Sequence, residues 1–282
     1  MKNRGFTIFN YIFFGVLAFV MVYPFWYAFL SSVVPYSDLM QRTLPIIPTK
    51  FDFSAYKEIL VNGLLGDAYL TTIKSTFIGL ALSLAFTVSG AYVLSIEKLP
   101  GAKIISSIII LTMFFSGGLI PMYILLSDLK LINNFWVYVI PSLINTVYMF
   151  IIRTSFTDIP LSLREAAEID GASECRIMLT IYVRLSLPTI MVIGLFYAVD
   201  KWNELYTALY FIIDYKLYTL QAALYNLLNA NSGTGVDGGA IKTVDEQVKY
   251  SAVILTILPI ILVYPFLQKY FTKGVLLGSV KE

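Results

Sequence analysis

Six long stretches of this 282-residue chain contain no Asp, Glu, Lys or Arg. They lie at Gly5–Ser37, Ser75–Ile96, Ile104–Ser127, Leu131–Ile152, Leu185–Val199 and Tyr250–Gln268. A helix needs about 20 apolar residues to cross the roughly 30 Å hydrocarbon layer of a bilayer. The chain is also 58% hydrophobic and only 13% charged, whereas soluble domains carry about 25% charged residues. The sequence therefore predicts an all-α, polytopic membrane protein with six transmembrane helices.

The composition also excludes several kinds of site. No histidine is present, which removes the commonest metal ligand and proton shuttle, so no metal site is predicted. The single cysteine, Cys175, leaves no partner for an internal disulfide, and we expect it to be a small buried residue rather than a reactive thiol. A formal net charge of +2 is too small to indicate nucleic-acid binding.

The positions of the basic residues predict the orientation of the spans, because Lys and Arg resist translocation. With the N-terminus in the cytoplasm, eleven basic residues fall in inner segments and seven in outer segments. Two large outer loops, about 35–70 and 214–249, make the outer segments much longer, so the density of basic residues favours this orientation. We expect a multi-pass protein of the bacterial cytoplasmic (inner) membrane with both termini in the cytoplasm.

The fifth apolar stretch is interrupted by charges. An apolar continuation at 205–213 predicts a single span across about 185–212. Asp200, Lys201 and Glu204 would then lie inside the membrane, where an isolated charge costs about 2.5–3.5 kcal/mol. Asp200 and Glu204 would share a helix face, with Lys201 within reach of Glu204. Two interpretations stay open: a cluster at the membrane interface with outward side chains, or the polar wall of a translocation cavity.

A charged segment, REAAEIDGASECRIML at 164–179, stands between two apolar stretches. Pro160 ends the preceding helix, and Ser162 stands three residues before Glu165, which is the spacing of a capping box. Gly171 suits the left-handed turn that closes a helix, and Ser173 offers an N-cap for a second one. The segment therefore predicts a helix–turn–helix outside the bilayer. Its function is either that of an ordinary polar loop or that of a docking element for another protein.

The spacing Glu165-Ala166-Ala167, three residues, Gly171 resembles the EAA loop of ABC importer permeases. EAAEIDGAS is most similar to the carbohydrate-uptake branch, and to the smaller permease subunit of maltose-type transporters. The resemblance covers nearly the whole chain and is closest to permeases for oligosaccharides and plant polysaccharides. It includes WNELYTALYFI at 202–212, KLYTLQAAL at 216–224 and QKYFTKGVLLGSVKE at 268–282.

This resemblance implies a single permease domain, 1–282, with the type I ABC importer permease fold. Its spans would lie at about 8–31, 71–95, 104–127, 134–153, 185–212 and 250–270, with a cytoplasmic docking loop at 158–183. The residues that contact the ATPase would be Glu165, Ala166, Ala167, Asp170 and Gly171. One departure is Arg184, which stands where the family usually has a proline. An arginine cannot supply a proline kink, so the angle between the docking helix and the fifth span stays open.

The resemblance also implies the partners: two ABC ATPase copies, a second permease subunit that forms a heterodimer with this chain, an extracytoplasmic solute-binding protein, a sugar substrate and membrane lipid. The permease would have no catalytic site, since ATP and Mg would bind to the partner ATPase. The glycines at 231–239 lack the Gly-Lys-Ser/Thr of a phosphate loop. We expect an external loop there.

The substrate pathway of such an importer would include the polar cluster and the aromatic residues beside it. These residues are Asp200, Lys201, Trp202, Asn203, Glu204 and Tyr206. Trp202 and Tyr206 are candidates to stack on sugar rings. A rival hypothesis is an ion-coupled secondary transporter or channel that uses Asp200 and Glu204, and a third is a membrane scaffold without transport. The secondary-transporter or channel hypothesis explains the charges inside the membrane but leaves the EAA spacing unexplained.

Overall fold

The computed structural model describes residues 4–35, 38, 50–61, 63, 65–96, 99–230 and 245–279, with side chains as far as residue 263. The described residues form helices joined by turns and contain no β-strand. In chain order the α-helices are α1 (Arg4–Val33), α2 (Ser54–Val61), α3 (Gly66–Ser95), α4 (Ala102–Leu111), α5 (Leu119–Asp128), α6 (Thr146–Thr157), α7 (Leu161–Ile169), α8 (Glu174–Leu185), α9 (Leu187–Trp202), α10 (Tyr206–Phe211), α11 (Leu220–Asn229) and α12 (Glu246–Ser279). The glycine-rich segment 231–239 lies outside the described residues.

Several of these helices are long enough to be membrane spans. Among the described residues, α1, α3 and the Glu246–Val263 part of α12 are each long and apolar enough to cross a bilayer alone. Two further candidates are bent pairs: the short 3₁₀ segment Phe135–Ser142 meets α6 at 47°, and α8 meets α9 at 86°. Length and composition thus give up to five spans in the described part of the chain. The predicted number of six is not reproduced exactly.

The predicted third span, 104–127, consists of two helices. Both α4 and α5 have ten residues, so each is about 15 Å long at 1.5 Å per residue, half of the hydrocarbon thickness. Gly118, directly before α5, has a φ of 85°. Glycine adopts this conformation at little cost because it has no Cβ, and the helix is broken there.

The predicted fifth span, 185–212, is also divided. Its first part is α9, which ends at Trp202, and α10 begins at Tyr206, after three intervening residues. Asn203, directly after α9, has φ −90° and ψ 13°, which is outside the helical region. The polar residues predicted to lie inside one span therefore surround a break in the backbone.

The described helices belong to two compact units. The first comprises residues 1–66 and 223–261, and the second comprises residues 67–222 and 262–282. Both α11 and α12 pass from one unit to the other. The candidate site residues predicted from the sequence all lie in the second unit.

Polar contacts at the end of α1 hold the first unit together. Gln247 on α12 donates from Nε2 to the backbone carbonyls of Ser32 (3.4 Å) and Asp52 (3.0 Å). Ser251 Oγ donates to the same Ser32 carbonyl at 3.2 Å, and Ser32 Oγ shares a hydrogen bond of 2.6 Å with the Tyr56 hydroxyl on α2. These contacts satisfy carbonyl groups that the last turn of a helix leaves without a partner.

Two apolar cores position the candidate site in the second unit. One core packs α3, α6, α8 and α9 around buried side chains such as Ala91, Ile152 and Ile193. The other joins the 3₁₀ segment to α10 and α11 around Val139 and Ala208. The first core supports the docking segment and the second supports the break after α9.

Candidate functional site

The predicted docking loop, 158–183, is called the docking segment from here on. It begins as a helix directly after a proline. Pro160 stands before the first helical residue, with φ −57° and ψ 129°, and α7 follows from Leu161. The predicted capping box between Ser162 and Glu165 is wrong, because Ser162 falls inside the first turn and no side chain caps the helix. The fixed φ of proline and its extended ψ place the N-cap of α7 at Pro160, two residues earlier than the polar pattern predicts.

Gly171 closes α7 in the predicted left-handed conformation, with a φ of 76°. The N–H of Gly171 donates to the carbonyl of Glu168 at 3.0 Å, and the N–H of Ala172 donates to that of Ala167 at 2.9 Å. These bonds satisfy the carbonyls of the last turn. Ser173 then occupies the position before α8 with an extended backbone, as predicted, but makes no side-chain capping hydrogen bond.

Four of the five predicted docking residues are exposed, and the fifth is not. The exposed residues are Glu165, Ala166, Asp170 and Gly171. Ala167 instead packs against the first core of the second unit, so it supports the helix from within. Ile169 is 86% exposed and was not among the predicted residues. The sequence feature that could have indicated this exposed residue is a large apolar side chain between two acidic residues, Glu168 and Asp170.

Arg164 connects α7 to two other helices. Its Nε donates to Glu168 Oε1 at 2.7 Å, its Nη2 to Glu174 Oε1 at 2.5 Å, and its Nη1 to the Tyr92 hydroxyl at 3.3 Å. The Tyr92 hydroxyl in turn donates to the other carboxylate oxygen of Glu174. Only 11% of the Arg164 side chain is exposed. The sequence analysis missed this residue, because its partners on α3 and α8 are distant in the chain.

The contacts of Arg164 also determine its protonation. Burial by itself lowers the pKa of the guanidinium, but the hydrogen bond to Glu168 and the neighbouring Tyr92 and Glu174 groups outweigh burial and raise the pKa above its ordinary value. A raised pKa means that the stabilisation is complete below the unfolded-state pKa and is lost only as the pH rises through the folded-state pKa. Arg164 therefore stays charged at physiological pH.

The chain bends sharply between the docking segment and the next span, although Arg184 replaces the usual proline. The bend of 86° between α8 and α9 lies at the buried Ser186, which has φ −97° and ψ 13°. Pro188 stands in the first turn of α9 and has no N–H to donate to the carbonyl of Arg184 four residues earlier. Ser155 Oγ on α6 donates to Ser186 Oγ at 3.0 Å. A proline at 184 is thus not needed for the bend.

Cys175 is exposed in the first turn of α8, so the prediction of a buried cysteine is wrong. Ile177 is the residue of this turn that faces the core, with 1% exposure. Two residues along a helix are about 200° apart around its axis. Burial of Ile177 therefore directs Cys175 outward.

The six residues predicted to line a substrate pathway lie around the break between α9 and α10. Because α9 ends at Trp202, Asp200 and Glu204 do not share a helix face. The predicted pairing of Lys201 with Glu204 is wrong: the ion pairs in the described part of the chain are Arg164–Glu168, Arg164–Glu174 and Lys249–Glu246. The break in the backbone separates charges that an unbroken helix would bring together.

Lys201 points into the protein and is 3% exposed. Its ammonium donates to the Tyr138 carbonyl at 2.5 Å and to Ser142 Oγ. These two acceptors lie on the 3₁₀ segment of the bent span, whose irregular backbone needs hydrogen-bond partners inside a membrane. Gly79 on α3 makes room for the side chain, since a Cβ there would lie 3.0 Å from Lys201 Cε. Lys201 therefore joins three elements and does not line an open space.

The other polar residues of the cluster each bind a different partner. Asp200 is exposed and accepts a hydrogen bond of 2.8 Å from the Tyr148 hydroxyl on α6. Glu204 Oε1 accepts one of 3.2 Å from the N–H of Thr207 in the first turn of α10. Asn203 is exposed, and its Nδ2 donates to the carbonyl of Val199 at 3.0 Å. The cluster thus presents Asp200 and Asn203 outward, without a direct bond between them.

The two aromatic residues of the cluster differ in exposure. Tyr206 is 64% exposed, and its ring lies nearly parallel to that of Tyr210, with centroids 6.0 Å apart. The Trp202 ring is half-buried, and its Nε1 is a buried donor without a hydrogen-bond partner in the described residues. An exposed aromatic pair suits contact with a ligand that has apolar faces, whereas the indole N–H of Trp202 is buried.

This chain is similar in sequence to a known protein family and to several of its members. The family described as "binding-protein-dependent transport system inner membrane component" matches residues 101–277. The polygalacturonan/rhamnogalacturonan transport system permease protein YtcP of Bacillus subtilis (strain 168) is 34% identical, with all of both chains covered. The arabinooligosaccharides transport system permease protein AraQ of Halalkalibacterium halodurans is 25% identical, also over all of both chains.

A solved structure is similar over almost the same length. It is that of a bacterial ABC transporter involved in the import of the acidic polysaccharide alginate. The TM-score is 0.87 with 30% identity, over 96% of this chain and 98% of that chain. These similarities define the permease class of membrane transport protein.

This chain belongs to the family of binding-protein-dependent transport system inner membrane components. It is a transmembrane subunit of an ATP-driven (ABC) importer. Such a permease works in general with ATPase subunits and a solute-binding protein. The rival hypothesis of an ion-coupled secondary transporter is not favoured by these similarities.

Proposed function

We propose that this chain moves an oligosaccharide across the cytoplasmic membrane and that α7 is the surface on which the ATPase docks. The exposed face of α7, which carries Glu165, Ala166 and Asp170 and ends at the left-handed Gly171, is the observation that supports the docking role. Small residues let another backbone approach closely, and the acidic ones suit basic partners. Ile169 adds an apolar contact to this face.

The proposed substrate class follows from the relatives. Two of them are permeases for polygalacturonan/rhamnogalacturonan and for arabinooligosaccharides, and the similar solved structure imports alginate. We infer that the substrate is a carbohydrate of several units. Asp200, Asn203, Glu204 and Tyr206, with the exposed part of the Trp202 ring, would contact it, while Lys201 would support them through its hydrogen bonds to the 3₁₀ segment.

The proposed assembly contains two ATPase copies, a second and different permease chain, and an extracytoplasmic binding protein. ATP and Mg would bind to the ATPases, and this chain would have no catalytic site of its own. The N-terminal end of α1 and the segment 158–183 would face the cytoplasm. Closure of the ATPases on ATP would move α7, and the permease pair would expose its pathway alternately to the two sides of the membrane.

The energy source of uptake tests this proposal. Cells or vesicles that carry the complete transporter would be given a labelled oligosaccharide under two conditions: ATP depletion with the proton gradient maintained, and an uncoupler with ATP maintained. We expect uptake to stop in the first condition and to continue in the second. Uptake that follows the proton gradient would contradict the proposal and favour ion coupling through Asp200 and Glu204.

A further inference from the structure

One buried arginine joins the docking helix to the rest of the second unit. Arg164 on α7 bonds to Glu174 at the start of α8 at 2.5 Å and to the hydroxyl of Tyr92 on α3 at 3.3 Å. Its guanidinium carbon also lies 5.9 Å from the centre of the Tyr92 ring. Tyr92 donates to Glu174, so the three side chains form a closed set that we name the Arg164 clamp.

Arg164 lies at the edge of a cavity, on a helix that also packs against the first core. The cavity has a volume of about 390 Å³ and lies beside α7, with Ser95, Phe156 and Tyr182 in its lining together with Arg164 and Glu168. Ala167 on the same helix packs against the first core. The hydrogen bonds and ion pairs of Arg164 therefore add polar connections to α3 and α8 beside this apolar contact.

The partner of the clamp on α3 lies near the end of a long span. Tyr92 is three residues before Ser95, the last residue of the 30-residue α3. The same end of α3 is held from α6, since Arg153 Nε donates to the carbonyl of Leu94 at 2.8 Å. A displacement of Arg164 therefore acts on a helix end that is already connected to α6.

We propose that Arg164 is a positioning residue that transmits the motion of the docking helix to α3 and α8. This inference rests on the proposed docking of the ATPase on α7. The role requires arginine, because its planar group has five donors and here engages Glu168, Glu174 and Tyr92 at once. A lysine has a single ammonium group in place of the planar guanidinium, so it cannot bind these three partners in the same geometry.

The test measures substrate transported per ATP hydrolysed by the complete transporter in proteoliposomes. For Arg164→Ala and Arg164→Lys we expect this ratio to fall about fivefold or more, the lower range of coupling between distant sites. Co-purification of the ATPase should persist, because the exposed face of α7 is unchanged. Arg184→Ala is the matched control: it removes an exposed arginine at the end of α8 and should keep the wild-type ratio.

Three further variants separate the contacts of Arg164. Tyr92→Phe removes one hydroxyl, away from the exposed face of α7, and should lower the ratio while the complex assembles normally. Glu168→Gln weakens only the contact within α7 and should have a smaller effect than Glu174→Gln. A wild-type ratio in both Arg164→Lys and Tyr92→Phe would overturn the inference. If wild-type uptake itself does not depend on ATP, the proposed function fails instead, and the two failures are thus distinguishable.

Discussion

A single lysine illustrates how a charged residue is accommodated in a membrane protein. Lys201 is buried, and its ammonium donates to the Tyr138 carbonyl and the Ser142 hydroxyl rather than to a carboxylate. Such bonds satisfy a carbonyl in a broken span, where neither water nor a regular helix provides a donor. Gly79 is the complement of this arrangement, because any larger residue would meet the lysine side chain.

We predict that Gly79→Ala and Lys201→Met each lower the stability of the permease. The added methyl at 79 meets Lys201 Cε at 3.0 Å, and the ammonium bonds prevent the side chain from moving aside. Loss of the ammonium removes its hydrogen bonds to the Tyr138 carbonyl and to Ser142 Oγ, and a hydrogen bond to a charged group contributes about 1.5–3 kcal/mol. The measurement is the thermal unfolding midpoint of the purified protein in detergent.

Gly66→Ala is the control for this prediction, because a Cβ at the first residue of α3 meets nothing within 4 Å. The double variant Gly79→Ala/Lys201→Met should be less destabilised than the sum of the two single variants, since the two residues contact each other. Additive effects would show that Gly79 and Lys201 act independently, against our interpretation.

At the level of elements, the docking segment is the part whose local sequence most directly specifies its structure. Pro160 precedes the first helical residue and Gly171 stands at the turn, so both ends of α7 are set by residues with special backbone preferences. The capping box at Ser162 was a wrong prediction because Pro160, two residues earlier, is the residue directly before the helix. By contrast, the breaks in the predicted third and fifth spans follow from packing and from Gly118, and apolar composition alone does not show them.

The turn at Gly171 provides a prediction with a matched pair of variants. A β-branched residue at φ 76° is strained, and the left-handed region costs ordinary residues about 1–2 kcal/mol, whereas asparagine tolerates it better. We expect Gly171→Val to reduce ATP-dependent uptake several-fold and Gly171→Asn to stay near wild type, with both proteins present in the membrane. Uptake and membrane content would be measured on the same vesicles.

The two substitutions at 171 also distinguish backbone geometry from loss of a glycine contact surface. Equal loss of uptake in both variants would mean that the ATPase needs the bare backbone of Gly171. Equal, normal uptake in both would remove the turn from the proposed coupling route.

At the scale of the whole molecule, the proposed orientation has a natural reporter. Cys175 is the single cysteine of the chain, and it is exposed within the proposed cytoplasmic segment. Labelling of Cys175 by a membrane-impermeant thiol reagent therefore reports the side of the membrane on which α8 lies.

We predict that a membrane-impermeant maleimide labels Cys175 in inside-out vesicles and not in right-side-out vesicles, after peripheral proteins are washed off. The control is Lys216→Cys in a Cys175→Ser background, which places an exposed thiol on the proposed outer side and should give the reverse pattern. Mass spectrometry of the labelled peptide is the measurement. Labelling of Cys175 from outside would reverse the proposed orientation and exclude docking of a cytoplasmic ATPase on α7.

The sequence by itself determined the membrane class, the all-α fold, the docking segment and the left-handed turn at Gly171. Each depends on information that is local in the chain: apolar length, the spacing of charges, or the backbone preference of one residue. The similarity to importer permeases follows from the same segments, because a family motif is also a pattern of residues that lie close together in the sequence.

Only the tertiary structure decided which distant groups meet. It placed Lys201 on the 3₁₀ segment rather than beside Glu204, turned Cys175 outward, produced the bend at Ser186 without a proline at 184, and brought Arg164 to Tyr92. Such contacts join residues that are dozens of positions apart. Their energies depend on which backbone groups a broken helix leaves unsatisfied and on which helices pack together, and no local pattern contains that information.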